Sequence, residues 1–266
     1  MLGVGYNGYM EINQMETNSK AHQDEIESQG ELAIIHEDNH IIVVIKPHNV
    51  PTQEDSSGDM DILNQIKTYV KESKGKEGEA FVGMVHRLDR VTGGAMVFAK
   101  TSKAASRLSE QMNGGEFSKR YLAVVTGTVK DRSGKLVNYL SKDEKTNVVK
   151  VVGQANVGAK RAELFYNIKT IGSAVSLVEV DLVTGRSHQI RVQLSNIGLP
   201  IVNDVKYGGR RQSTSCTSGR AYVALWAHEL SFNHPISGDR MKFVVNPPEN
   251  KVWDKFDFNR KKHKTK

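Results

Sequence analysis

Cysteine is almost missing from this chain: its 266 residues include one, Cys216, so no intrachain disulfide can form. No group of cysteines and histidines has the spacing of a zinc site, and Cys216 lies in a polar loop where it reads as incidental. A reducing cytoplasm and no structural metal are expected. Long apolar runs are missing too. No stretch approaches the ~18 to 20 residues that span a bilayer, and the N-terminus lacks the charged-then-apolar order of a secretory signal, so no membrane partner is expected. Several common chemistries are also without their motifs. There is no phosphate loop ending in Gly-Lys-Ser/Thr, no dinucleotide fingerprint after a strand, no nucleophile elbow and no His-Glu-x-x-His. A glycosidase would need a second acid placed across a scissile bond, and none has a claim comparable to that of Asp89.

What is present begins with charge. The chain carries +7, and residues 1–30 hold five acids (Glu11, Glu16, Asp24, Glu25, Glu27) against Lys20. That segment has a net of −4, which leaves +11 for residues 31–266. A surplus of this size is the footprint of a polyanion binder, nucleic acid above all. Residues 1–30 are polar and without periodicity and are read as a flexible acidic extension. Residues 31–258 are expected to form one catalytic domain, since no linker or repeat interrupts them, and 259–266 a basic tail. Strand-like sequence begins by Leu32, so no separate N-terminal domain is expected ahead of it.

Along the chain, β-rich runs at 32–36 and 41–45 flank the turn-forming Glu37-Asp38-Asn39-His40 and read as a hairpin. From Asp59 or Asp61, Ile62, Ile66, Tyr69 and Val70 recur at helical spacing. Phe81 to Val85 and Ala95 to Ala99 are apolar runs, the second with the look of a strand buried on both faces. Ser102 is placed to cap a helix that Asn113-Gly114-Gly115 ends. Lys119 to Val125 is strand-like, with Tyr121, Ala123 and Val125 on one face. Residues 141–160 are a polar connection bearing Lys142, Lys145, Lys150 and Lys160. Strands are expected at 163–169 and 175–183, and a helix after Gly185 with Ile190, Leu194 and Ile197 on one side. Residues 205–220 form a long arginine-bearing loop, a length more often functional or disordered than incidental. Strands at 226–232 and 241–245 and a helix-like 251–256 complete the fold.

Between the two apolar runs stands Val85-His86-Arg87-Leu88-Asp89-Arg90-Val91-Thr92-Gly93-Gly94. Asp89 is carried close to the core, and a carboxylate there needs cations or hydrogen bonds around it to stay charged. Taken alone it reads first as a structural carboxylate satisfied by arginine, and only second as a reactive group. Arg186, His188 and Arg191 cluster in the first turns of the later helix, where cations oppose the macrodipole and so suggest anionic partners.

His86-Arg87-Leu88-Asp89 with Thr92-Gly93 resembles the central motif of RNA pseudouridine synthases of the RluA type, HRLDxxTSG. Lys119 to Val124 is similar to the family's K-x-Y-x-A-x-V segment, and Leu182 to Val192 to its L-x-T-G-R-x-H-Q-I-R-V segment. Gly198 to Asp204 with Tyr207-Gly208, and Ala227 to Phe232 with His234-Pro235, follow in family order. The resemblance covers most of residues 40–248. It implies an α+β fold, a mixed and mainly antiparallel sheet flanked by helices, and isomerisation of uridine in ribosomal or transfer RNA by one protein acting alone without a cofactor. It implies Asp89 as the catalytic acid, Arg186 as its ion-pair partner and Tyr121 against the uracil face. Arg87 is the candidate to fill the gap left by a displaced base. His86, Thr92, His188, Arg191, Arg210 and Arg211 are the further candidates for holding substrate. The chain departs from the pattern at Gly93, where Ser is usual, and at Gln193, where His commonly follows Arg-Val. Competing readings are a silent RNA-binding or ribosome-assembly protein on the same scaffold, and an enzyme acting on a free nucleoside, which would not need so strong a field.

Overall fold

A computed structural model of the protein describes residues 32–74, 80–211 and 222–258. The acidic extension at 1–30, the basic tail and Cys216 lie outside the described residues.

Among the described residues one mixed sheet of 11 strands carries the domain, in the order β1-β2-β4-β10-β5-β9-β8-β6-β7, with β11 on β10 and β3 on β4. The strands are β1 (Ala33–Glu37), β2 (Ile41–Lys46), β3 (Gly83–Met84), β4 (Gly93–Ala99), β5 (Ser118–Val125), β6 (Ser133–Asp143), β7 (Val148–Val152), β8 (Lys160–Ile171), β9 (Ser176–Leu182), β10 (Leu225–Asn233) and β11 (Arg240–Val244). Every pairing is antiparallel except that of β10 with β4. The α+β expectation holds, and β4 is buried along its whole length, as its unbroken apolar run requires.

Among the described residues three helices flank the sheet: α1 (Ile62–Lys74), α2 (Ser102–Gly114) and α3 (Gln189–Asn196). In α1 the buried Ile62, Ile66 and Val70 stand one turn apart, and the cap is Asp61, which accepts the Asn64 N–H at 2.9 Å. The cap of α2 is Thr101 rather than Ser102: its hydroxyl accepts the Ala104 N–H, while Gly115 at φ 81° closes the other end. The 251–256 segment forms turns instead of a helix, and through Val252, Trp253 and Phe256 it still joins the main core.

The largest correction concerns the connection at 141–160. It belongs to a three-stranded antiparallel arm, β6-β7-β8, in which β6 begins as early as Ser133. Of the eleven residues of β6 only Leu140 is fully buried, so the strand carries almost no alternating apolar signal. A small second core of Leu140, Val149, Ala162 and Val192 fastens the arm to α3.

Arg120 and Tyr121 are neighbours on β5 and therefore lie on opposite faces of the sheet. On the Arg120 face, charges are matched: Arg120 pairs with Asp181 (2.8 Å) and Glu229 (3.4 Å), Lys242 with Glu229 (3.0 Å), and Lys135 with Glu163 (2.7 Å). Each such pair adds at most about 1 kcal/mol. The named charges on this face are thus paired, and Tyr121 lies on the other.

Candidate active site

The Asp89 loop is held at three consecutive positions. Leu88 is buried, and its carbonyl accepts the Thr52 hydroxyl at 2.8 Å. The Asp89 carbonyl accepts the Thr92 N–H at 2.9 Å, closing a turn over residues 89–92. The Arg90 carbonyl accepts Lys46 Nζ at 3.2 Å, and the Arg90 side chain binds Asp55 at 3.1 Å and also Asp59. Lys46, at the end of β2, is fully buried, and its Nζ also donates to the Pro47 (2.8 Å) and Val50 (2.7 Å) carbonyls. Three acceptors match the three N–H bonds of an ammonium. Burial pulls its pKa down to about 7, against the pull of the Asp89 charge.

The Asp89 side chain, 27% exposed, accepts Arg191 Nη1 at 3.3 Å. This corrects the expected pair with Arg186, whose Nε donates instead to the Arg161 carbonyl at 3.0 Å from an exposed position. The reason is where α3 starts. The helix opens at Gln189 after His188, whose φ of 51° turns the chain, so Arg186 and His188 precede the helix and Arg191 lies inside it with its side chain 6% exposed. Arg191 also pairs with Asp204, Nε to Oδ2 at 2.7 Å and Nη2 to Oδ1 at 2.8 Å. Burial works against its charge, and Asp204 followed by Asp89 outweigh it, so its pKa stands above the ordinary value. Sequence reasoning missed Asp204 and Lys46.

Tyr121 is brought near by strand order: Gly94 pairs with Ala227, and Ala227 with Tyr121. Burial, and after it the Asp89 charge, push the phenol above its ordinary pKa, so it is protonated throughout the physiological range. His188 Nδ1 lies 2.6 Å from the Tyr207 hydroxyl, which also accepts the Val149 N–H at 2.9 Å and so links the β7 arm to the site. Burial holds His188 below its ordinary pKa although Asp89 opposes it. Arg87, Arg210 and Arg211 are exposed. His86 and Thr92 are buried, and His86 Nε2 accepts the Val97 N–H at 3.2 Å, which places it in the packing beneath the loop.

Both departures from the family pattern have local causes. A Cβ on Gly93 would stand 2.5 Å from Trp226 Cζ3, so the indole fills the space that a serine needs. Gly93→Ser is therefore expected to lower stability by about 1 to 3 kcal/mol, and Trp226→Leu in the same chain to recover part of that loss, both read from urea unfolding. At Gly94, with φ 121°, a Cβ would meet the Ala227 carbonyl oxygen at 2.4 Å, which leaves glycine alone acceptable. Gln193 is buried and donates to Asn138 Oδ1 at 2.8 Å, tying α3 to β6.

Comparison with known proteins bears on the family and the fold. The profile of the family described as RNA pseudouridylate synthase matches residues 40–196. The ribosomal large subunit pseudouridine synthase D of Pseudomonas aeruginosa is 32% identical over 249 residues, 90% of this chain and 75% of that protein. The RNA pseudouridine synthase YhcT of Bacillus subtilis is 31% identical over 216 residues, 80% and 68% of the two chains. Among solved structures, human RNA pseudouridylate synthase domain containing 4 shares the fold with a TM-score of 0.67 at 22% identity, over 86% of this chain and 94% of that one. The chain belongs to the RNA pseudouridylate synthase family, in its RluA-type branch.

Proposed function

We propose that the chain isomerises uridine in large-subunit ribosomal RNA, with Asp89 carrying the chemistry. The observation that carries this reading is a partly open carboxylate, anchored on both sides in its loop and touched by a buried arginine. The reaction breaks N1–C1′, turns the uracil and forms C5–C1′, while a proton leaves C5 and one arrives at N1. Nothing is oxidised or reduced. One carboxylate suffices, as nucleophile or as base, to free the uracil and later to help return it. Tyr121 lies against the uracil, and its buried, protonated ring positions the base without ionising. Drawing the uridine out of its stack costs roughly a few kcal/mol. The exposed Arg87, two residues before Asp89, fills the space left behind, and His188 serves the same pocket. Arg186, Lys142, Lys145, Lys150, Arg210 and Arg211 hold the RNA backbone. The chain works as a monomer in the cytoplasm.

Pseudouridine mapping of total RNA from cells with and without this chain tests the substrate. Loss at one or more large-subunit ribosomal uridines is expected, and loss confined to transfer RNA would overturn the ribosomal assignment. Replacing both Arg210 and Arg211 with Gln should flatten the salt dependence of RNA affinity by up to about two units of slope, measured by filter binding. An unchanged slope would remove these two residues from the RNA interface.

A further inference from the structure

Asp89 shares its arginine with a second carboxylate that the reaction above does not use. Asp204 is 1% exposed and takes the two-nitrogen edge of Arg191, Nε and Nη2, leaving one long contact from Nη1 for Asp89. The turn around Asp204 is closely built. Asn203, just before it, holds φ 67°, and the Asp204 carbonyl accepts the N–H groups of Tyr207 (3.0 Å) and Gly209 (2.8 Å). A Cβ on Gly209 would stand 2.0 Å from the Ile201 carbonyl oxygen and 2.7 Å from the Asp204 nitrogen, so the backbone passes here at the closest approach that glycine permits. The Tyr207 ring lies 5.0 Å from the guanidinium carbon. Non-glycine residues in left-handed conformations, Asn203 and His188, thus flank both members of the pair, which is where strained backbone is commonly kept for function.

We infer that Asp204 is a positioning residue for the isomerisation: it occupies the bidentate edge of Arg191 and offsets its charge, so that Asp89 is oriented by one weak contact and keeps its reactivity. The inference rests on the reading that Asp89 carries the reaction. An uncompensated guanidinium would turn that edge to Asp89 in a short charge-assisted pair, and a carboxylate so held is a poorer base and a poorer nucleophile. The other groups whose charge or titration bears on Asp89 are Lys46 from β2, Tyr121 from β5, His188 ahead of α3 and Tyr207 from the turn after Asp204. The Asp204 charge also raises the pKa of His188 and Tyr207, so the Asp204→Asn limb is read in a His188→Gln background as well, where it should still move.

The test is the pH dependence of single-turnover kcat/KM on an RNA that the wild type modifies, for Asp204→Asn and Asp204→Glu. The Asn variant should lose rate by about tenfold or more near neutral pH, with its acid limb moved to lower pH by about one unit. The Glu variant keeps the charge and should keep the limb at the wild-type position. A folded Asn variant whose limb stays in place overturns the inference, because a purely structural Asp204 would change the melting temperature and not the profile. Should the Asn variant fail to fold, the Glu variant decides: a limb at the wild-type position supports the inference, and a displaced limb overturns it. Asp89→Asn is run beside them, and activity in that variant would instead defeat the reading on which this one rests.

Discussion

Asp89→Asn is expected to abolish pseudouridine formation, lowering the single-turnover rate by about 10³-fold or more, while the protein stays folded and still binds RNA. An amide of the same shape can neither attack carbon as a carboxylate does nor accept a proton at neutral pH. The structural cost is small. The Asp89 side chain is 27% exposed and takes one contact of 3.3 Å from an arginine whose other nitrogens bind Asp204. Stability should fall by less than about 1 kcal/mol. RNA affinity should stay within about threefold, since phosphate contacts by lysine and arginine dominate it and none of them is removed. Full activity in the variant would end the assignment of the chemistry to Asp89. Loss of activity together with loss of folding would show instead that Asp89 holds the loop.

How far the sequence discloses this site depends on what kind of signal each residue leaves. Asp89 and Tyr121 sit in short motifs at fixed spacing, and the strands that carry them are strongly apolar, so both the residues and their elements are readable. The choice between Arg186 and Arg191 is not. Both lie in one segment, and what separates them is the backbone turn at His188, a left-handed conformation that is uncommon for any residue but glycine and that nothing in the local pattern marks. Lys46 leaves no local trace, and Asp204, although it ends the family-like segment Gly198 to Asp204, carries no sign there of its partner. An isolated Asp after Val-Asn, or a Lys at a strand end, is ordinarily solvated, and only tertiary packing supplies the guanidinium for one and three carbonyls for the other. The β6 strand escapes for the opposite reason: with one face toward solvent and a single fully buried residue, its pattern is that of a polar connection. The fold is thus legible where burial is dense, and the buried polar contacts around Asp89 are not.

Arg191→Met should be the most damaging single change in stability, and it separates structural from chemical roles when combined with a second substitution. The variant leaves Asp204, 1% exposed, without its bidentate partner, and breaking such a buried pair costs about 3 to 5 kcal/mol. For a domain of this size that corresponds to a melting temperature lower by roughly 10 °C. Adding Asp204→Leu removes the orphaned charge and should recover most of the loss, because a buried ion pair exchanged for apolar side chains is often close to neutral. Activity should not return with stability, since Asp89 then has no guanidinium to orient it. Arg186→Ala is the control: exposed and bonded to a backbone carbonyl, Arg186 should cost under about 1 kcal/mol and leave the single-turnover rate at saturating RNA near wild type. Calorimetry and single-turnover kinetics on the four proteins decide the matter. If Arg186→Ala instead lost turnover and Arg191→Met kept it, the orienting arginine would be the one the sequence motif first suggested, and the Asp89–Arg191 contact would be incidental.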